Sequence, residues 1–491
     1  MERNNGRIAA TTLIYSFIYS ICLYKNLTGV MTPLFSVATV VFIWIILPEL
    51  VNDKEEARLK RKRLIPYFIG VVLLGISIFM TADLLIILFS YIGIILLTMA
   101  ALIRFFCDEE SWGVGRYSIA IIEVCAMPIV YVDRLFRDRK SFNAALTSKK
   151  NKKLKYVIIG ILFSIPFLIV VITLLASADA IFGSVVNAVF GGISISGETV
   201  GFLFLTGAVM IYCYSLLYKL SVHGAGNVNV TGNKLEAVIG IAFTGMLTAV
   251  YVLFSVIQIL SPFLGESMLP DGYSYSNYAR EGFFQLLFVA AFNLVAILIC
   301  NAIFAKHKVL NIVLTIMCAC TYIMIASSAV RMAMYIDAFA LTYLRLLVCF
   351  ALLLIGILLI GVIISIYNEK FKLMRYFIAV TSVLYISLAF VHPEYIIAKY
   401  NLSQPRLDTS LSGFDSGYLA RLSSDAAPAI YDYMQEHDGA EDIGTMTKLQ
   451  NFEGYFARVD RQYDEYNEYY SIRGFNLSRY KAHLCAEKYK N

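Results

Sequence analysis

Long apolar runs separated by short polar segments dominate the first 391 positions of the chain. Most of these runs are close to the roughly 20 residues that a helix needs to cross the hydrocarbon core of a bilayer. They lack the period-two alternation of membrane β-strands, so helices are the expected spanning elements. The pattern predicts about eleven spans, at residues 8–24, 30–49, 64–80, 84–106, 156–176, 199–220, 235–260, 282–304, 309–328, 345–367 and 376–391.

Composition supports this interpretation, because 59% of the 491 residues are hydrophobic and only 15% are charged. A soluble protein of this size could not cover so much apolar surface with so few charges. The predicted fold class is all-α, a polytopic transmembrane bundle with a small, mainly helical soluble C-terminal domain. We expect three regions: an N-terminal four-helix membrane region at 1–155, a core bundle of about seven spans at 156–392, and an extracytoplasmic domain at 393–491.

The distribution of Lys and Arg predicts the orientation. If the N-terminus is cytoplasmic and the spans alternate, the cytoplasmic segments receive 26 Lys and Arg and the outer loops receive four. Such an excess over short loops is typical of the cytoplasmic side. We therefore expect a multi-pass protein of the cell membrane, with its N-terminus in the cytoplasm and its tail outside.

One short apolar segment, residues 117–132, complicates this alternation. It carries Glu123 and Pro128 and has basic residues on both sides, which favours a re-entrant or interfacial helix on the cytoplasmic side. The basic stretch that follows begins at Arg134 and ends at Lys155, and it should lie against anionic lipid headgroups. Two interpretations are open for it: a topology anchor, which is the simpler, and a docking site for a cytoplasmic partner.

The composition changes after His392. The tail is polar and Tyr-rich, with fifteen Asp and Glu against eleven Lys and Arg, so nucleic acid is not an expected partner. Membrane lipids are expected partners, and so is a membrane or extracytoplasmic protein. Ser424 is predicted to cap a helix that runs to about His437.

The chain lacks the phosphate-binding loop, zinc-helix and nucleophile-elbow motifs of common enzymes. Its five histidines are scattered, and its nine cysteines lie mostly in or beside apolar runs without metal-ligand spacing. No catalytic residue, metal site or cofactor is therefore predicted, and an enzymatic function is disfavoured.

Ionisable residues near the membrane are the remaining candidates, because their desolvation is costly unless they are paired or functional. Interhelical ion pairing is the alternative to a ligand site. Asn293 is expected to be interhelical hydrogen-bond glue, as are Gln285 and Asn301, whereas solvation is enough to explain Asp83. Six residues near the predicted outer ends of spans could form one site for an anionic or zwitterionic ligand: Asp179, Arg280, Glu281, Arg331, Asp337 and Arg345.

Several short motifs occur in order along the second part of the chain: Leu175-Ala-Ser-Ala-Asp179, Tyr278-Ala-Arg-Glu-Gly-Phe-Phe284, Ser328-Ala-Val-Arg331, Leu341-Thr-Tyr-Leu-Arg345, Ala398-Lys-Tyr-Asn401, Leu422-Ser-Ser-Asp-Ala-Ala-Pro428 and Asn476-Leu-Ser-Arg479. From about residue 156 to the C-terminus, these motifs resemble a bacterial family of polytopic membrane proteins labelled domain of unknown function 4153/4173. The resemblance implies the fold and the membrane location but no reaction. Asp337 stands where that family suggests Glu.

Two functions follow as hypotheses. The leading one is a non-enzymatic protein that binds a ligand or partner at an outer polar site covered by the tail, for sensing or transport. The alternative is a membrane transferase acting on a lipid-linked sugar or another lipid headgroup substrate.

Overall fold

The computed structural model describes residues 5–51, 53–107, 112–131, 197–224, 234–264, 282–404, 416–437 and 443–490, together with positions 109, 171, 175 and 179. In these ranges the regular structure is helical, and one isolated bridge joins Leu235 and Phe304. The predicted span at 156–176 and the basic stretch from Arg134 to Lys155 lie wholly or almost wholly outside the described residues.

The first part of the chain forms seven described helices. A 3₁₀ turn, Leu47–Glu49, extends the second helix, and another, Met127–Tyr131, follows the sixth. The helices are α1 Asn5–Leu23, α2 Met31–Ile46, α3 Lys54–Lys62, α4 Ile65–Met80, α5 Leu84–Phe106, α6 Val114–Ala126 and α7 Gly197–His223.

The second part carries the later spans and the tail. They are α8 Ala237–Leu264, α9 Phe283–Ile303, α10 Lys308–Phe339, α11 Tyr343–Tyr367, α12 Leu373–Phe390, α13 Pro393–Leu402, α14 Ser416–Leu419, α15 Ala427–Glu436, α16 Ile443–Tyr470 and α17 Leu477–Lys490. Short 3₁₀ turns lie at Ser424–Ala426 and Ser471–Gly474.

Within the described ranges, nine helices are long and apolar enough to cross a membrane, or ten if the bent pair formed by α3 and α4 counts as one span. Eight of these nine helices coincide with predicted spans, and the ninth is the short segment Val114–Tyr131, for which a re-entrant or interfacial helix was predicted. The first, α1, is a shorter apolar helix, and α4 belongs to the bent pair. The chain is thus a multi-pass helical membrane protein, as the hydrophobic pattern predicted.

The chain divides into two compact units. Unit 1 comprises Met1–Ile76, Ile94–Cys107 and Ala120–Ala225, and unit 2 comprises Ser77–Gly93, Asp108–Ile119 and Gly226–Asn491. The last spans and the tail thus belong to one unit. The predicted boundaries at residues 155 and 392 stay predictions.

In unit 1, a buried ion pair joins the short segment around Glu123 to α7. Glu123 lies 3.0 Å from the ammonium of Lys219, whose side chain is 2% exposed. Tyr212 donates to the carbonyl of Cys125, and Ser215 donates to that of Tyr131. These contacts all fall between positions 212 and 219 of α7. The segment Val114–Tyr131 is long and apolar enough to cross a membrane. Its contacts with the second half of α7 also fit the predicted re-entrant or interfacial helix.

In unit 2, apolar side chains of α9, α10 and α11 form a common core around Ile297, Leu314 and Leu359. Polar groups inside it are joined between helices. Asn293 donates to the hydroxyl of Thr321 at 3.0 Å. Asn301 donates to Ser365 at 3.4 Å. The predicted interhelical role of both asparagines is confirmed, whereas Gln285 lies on an exposed face of α9.

A helix break separates α10 from α11. Ala340 adopts a positive φ of 67° and ends α10. Asn401 of α13 stabilises the break: it accepts from the Leu341 N–H and donates to the Leu341 carbonyl, each at 2.8 Å. Both backbone groups freed by the break therefore have a partner.

Apolar side chains of the tail form a core together with Leu341, between α10 and α11, and in it Ile430 of α15, Phe452 and Phe456 of α16 and Ala482 of α17 are buried. The predicted helix of α15 is present, but its entry differs by one residue. Ser423, rather than Ser424, caps the 3₁₀ turn that leads into it, by accepting from the Asp425 N–H.

Candidate functional site

The Asp425 carboxylate is the centre of a buried polar site in unit 2. Its side chain is fully buried. It accepts hydrogen bonds from the hydroxyls of Thr81 and Ser478 and from the N–H of Ala82 (2.8 Å). His392 Nδ1 lies 3.3 Å from its second oxygen. A buried charge is tolerated only with such partners, so this aspartate attaches the tail to the turn between α4 and α5.

Local sequence explains how the groups meet. α4 ends at Met80, which leaves its last carbonyls without helical partners. Asn476 donates to the carbonyls of Ile78 and Thr81, at 3.3 and 2.9 Å. The side-chain oxygen of Asn476 accepts from the Ser478 N–H at the start of α17. The tail-docking cluster, as we call it, comprises Thr81, Ala82, His392, Asp425, Asn476 and Ser478.

A second carboxylate, Asp83, is buried beside this cluster. One of its oxygens caps α5 by accepting from the N–H groups of Leu85 and Ile86. Its other oxygen, and the nearby hydroxyl of Tyr343, are buried without a hydrogen-bond partner of normal geometry. Asp83 is only 3% exposed, so the expectation that solvation explains it is wrong.

Glu394 is the third carboxylate of the group. It lies in the first turn of α13 and accepts from the Ser423 N–H at 2.7 Å. Tyr455 donates to the Ser423 carbonyl at 2.7 Å. The two contacts hold both backbone groups of Ser423, two residues before Asp425.

The three carboxylates differ in acidity for physical reasons. Burial raises the pKa of Glu394 to about 7, assisted by the charges of Asp83 and Asp425. Burial also raises the pKa of Asp83, although the Tyr343 hydroxyl and two backbone N–H groups oppose the rise. Burial would raise the pKa of Asp425 too, but the hydrogen bonds of the tail-docking cluster lower it below its usual value. Neighbouring groups with opposed pKa shifts are suited to exchanging protons.

Among the described residues, no group of three or more His, Cys, Asp or Glu side chains could hold a metal ion. The three carboxylates can bind protons and accept hydrogen bonds.

Of the six predicted site residues, Arg331 has the most informative surroundings. It is 8% exposed on α10 and donates to the side-chain oxygen of Gln258 on α8 at 3.1 Å. Ser327 donates to the same oxygen at 2.6 Å. Gly282, with a φ of 104°, makes room for the arginine, because a Cβ there would lie 2.8 Å from Arg331 Nη1. A polar centre thus lies between two spans.

Arg345 has a different environment. Its guanidinium donates to the carbonyls of Phe339 and Ala340 at the end of α10, and it lies 4.1 Å from the ring centroid of Tyr335. Asp337 is exposed on α10. Asp179 is exposed and belongs to unit 1, while Arg280 and Glu281 lie outside the described residues. The convergence of all six on one site stays a prediction.

Sequence reasoning missed Asp83, Glu394 and Asp425 as a group. Asp83 and Asp425 are more than 300 positions apart in the sequence, and no local spacing relates the three residues. One signal was present: Asp425 and Asn476 both lie in motifs that carried the family resemblance, and the structure places both motifs at the turn after α4.

The model of a family described as Domain of unknown function (DUF4153) matches residues 68–433. The match begins within α4, earlier than the expected start near 156, and ends before the Asn476-Leu-Ser-Arg479 motif. All three carboxylates and all six predicted site residues fall inside it. No curated protein and no solved structure matches the chain.

Proposed function

Since the chain belongs to the DUF4153 family, whose description assigns no activity, we propose a function from the site itself. The protein binds an anionic or zwitterionic ligand, or a partner that carries such a group, at a polar site near the outer ends of its spans. The docked tail senses this binding. The proposed site includes Arg331, Asp337 and Arg345 of unit 2, together with Arg280 and Glu281, which the sequence predicts to lie near the same ends of the spans.

One observation carries this proposal: Arg331 is buried between membrane helices beside Gln258 and Ser327. A guanidinium in a membrane bundle is costly. It also offers planar, bidentate donors that fit a phosphate or carboxylate. The left-handed Gly282 next to it keeps the space that a larger residue would fill.

The proposed location is the outer face of a bacterial cell membrane, with the N-terminus in the cytoplasm. The excess of Lys and Arg in alternate loops supports it. The contacts in unit 2 also support it, because they join segments predicted to lie on the same side of the membrane. Two ion pairs, Glu109–Arg375 at 2.9 Å and Lys306–Glu369 at 3.1 Å, each join segments predicted to be cytoplasmic. Asp425 joins two segments predicted to be outside.

The test is purification in native lipid, followed by mass spectrometry of co-purifying molecules. We expect one anionic or zwitterionic species to be retained by the unchanged protein and lost from Arg331→Ala and Arg345→Ala. Arg421→Ala, at an exposed arginine of the tail, is the matched control and should retain it. Retention of the same species by Arg331→Ala would contradict the proposal.

The transferase alternative keeps one supporting observation. Glu394, with a raised pKa, lies near Asp425, with a lowered one, and such pairs serve as general acid and base. Mass spectrometry after addition of a lipid-linked sugar separates the two functions. A transferase should convert an added lipid-linked sugar, and Glu394→Gln should abolish the conversion, whereas a sensor should release its ligand unchanged.

A further inference from the structure

The turn between α16 and α17 exposes apolar side chains in an otherwise polar tail. Ile472 is 77% exposed within the turn Ser471–Gly474, and Tyr469, just before it, is 62% exposed. Phe475 follows directly. Single exposed apolar residues are ordinary on protein surfaces, so the position of this turn decides what the exposure means.

Two contacts fix the turn at the end of a membrane helix. The ring of Phe475 lies 6.1 Å from that of Phe79, and Asn476 donates to the last carbonyls of α4. The helix has 16 residues, or about 24 Å. This is shorter than the roughly 30 Å hydrocarbon core, so Phe79, one residue from its end, cannot project far beyond the bilayer boundary. The turn must lie at the same level.

A shallow pocket adjoins the turn. Its chemistry is mixed: phenol rings, two side-chain amides and one guanidinium, which lies 3.7 Å from the ring centroid of Tyr466. The residues that line it include Tyr463, Tyr466, Asn467, Phe475, Asn476 and Arg479. A guanidinium and phenol rings beside an apolar tip match the interfacial layer of a bilayer, where phosphate lies above acyl chains.

We propose that this edge of the tail is a phospholipid-binding surface. Ile472 and Tyr469 enter the boundary between headgroups and acyl chains, and the pocket around Arg479 takes an anionic headgroup through its phosphate. The surface is separate from the site around Arg331, and it requires only that α4 crosses the bilayer.

The insertion test uses tryptophan fluorescence in nanodiscs. In a chain with Trp44→Phe and Trp112→Phe, which leaves no other tryptophan, Ile472→Trp places one reporter on the turn. Met446→Trp, at a 54% exposed position 24 residues before the end of α16, is the control. Lipids brominated near the top of the acyl chain should quench the reporter at 472 at least twice as strongly as that at 446. Equal quenching at the two positions, or no quenching at position 472, would overturn the proposal. In that case water or a second copy of the chain would cover the turn.

The headgroup test uses the same reporter at 472. Brominated phosphatidylglycerol diluted into phosphatidylcholine should quench it more than brominated phosphatidylcholine at the same fraction. Arg479→Gln should remove this preference and Arg421→Gln should not. Millimolar inorganic phosphate should leave it unchanged, which distinguishes a lipid from free phosphate. A preference that survives Arg479→Gln, or that phosphate abolishes, would overturn the headgroup assignment.

Discussion

At the scale of single residues, Asp425 shows how a membrane protein can bury a charge without a fixed cationic partner. Four donors from the turn after α4, from α17 and from His392 surround its carboxylate. Hydrogen bonds to an ionised group are stronger than neutral ones, and they outweigh burial in setting its pKa. Loss of the charge should therefore release the tail.

We predict that Asp425→Asn weakens the docking of the tail by about 2–3 kcal/mol, because the amide cannot accept from every donor of the cluster. Hydrogen exchange of α15 amides should accelerate by roughly 30- to 150-fold. Asp432→Asn, at an exposed position of the same helix, is the matched control. Unchanged exchange in Asp425→Asn would show that the tail does not depend on this carboxylate.

The pH dependence should come mainly from Glu394. Its pKa in the folded protein, about 7, exceeds the usual value of 4.5, so the folded state binds more protons than the unfolded one. Stability then falls as pH rises from about 4.5 to 7, by up to roughly 3 kcal/mol. Exchange of α15 amides, corrected for intrinsic rates, should accelerate between pH 5 and 8.

Glu394→Gln should flatten that profile, since glutamine remains neutral and can still accept from the Ser423 N–H. Glu436→Gln, at an exposed glutamate, should leave it unchanged. The lowered pKa of Asp425 acts in the opposite sense, because its contribution is lost only as pH falls below the usual value of 3.8. Docking that strengthened from pH 5 to 8 would contradict these assignments.

At the scale of helices, hydrophobic runs predicted most described spans, because each span must satisfy its own backbone and face lipid. The pattern could not predict the break after α10. It depends on Asn401, 60 positions later, which bonds both backbone groups of Leu341. The burial of Asp83 was missed for the same reason: its surroundings are built by the distant tail. Local patterns predict elements, and long-range partners decide which polar residues are buried.

Asn401→Ala should lower stability by about 1–3 kcal/mol, because it leaves a buried N–H and a buried carbonyl without partners. Asn401→Asp keeps the acceptor but places a buried carboxylate against the Leu341 carbonyl, so it should destabilise the protein at least as much. A thiol-reactive fluorogenic dye can follow unfolding through Cys318 and Cys320, which are buried on α10. Equal unfolding temperatures for Asn401→Ala and the unchanged protein would exclude a role for Asn401 in stabilising the break.

At the scale of the whole molecule, the proposed ligand site and the placement of the tail depend on the sides of the membrane to which they are assigned. Alternate loops carry most of the Lys and Arg. In unit 2 the ion pair Glu109–Arg375 and the attachment of Asp425 to Ala82 each join segments predicted to share a side. The contacts define two faces, and the charge bias predicts which one is cytoplasmic.

Labelling of intact cells with a membrane-impermeant lysine reagent tests this assignment most directly. Lys481 and Lys488 of the tail should react in intact cells, whereas Lys152 should react only after the membrane is opened. Labelling of Lys152 in intact cells, with the tail protected, would reverse the orientation and contradict an outer ligand site.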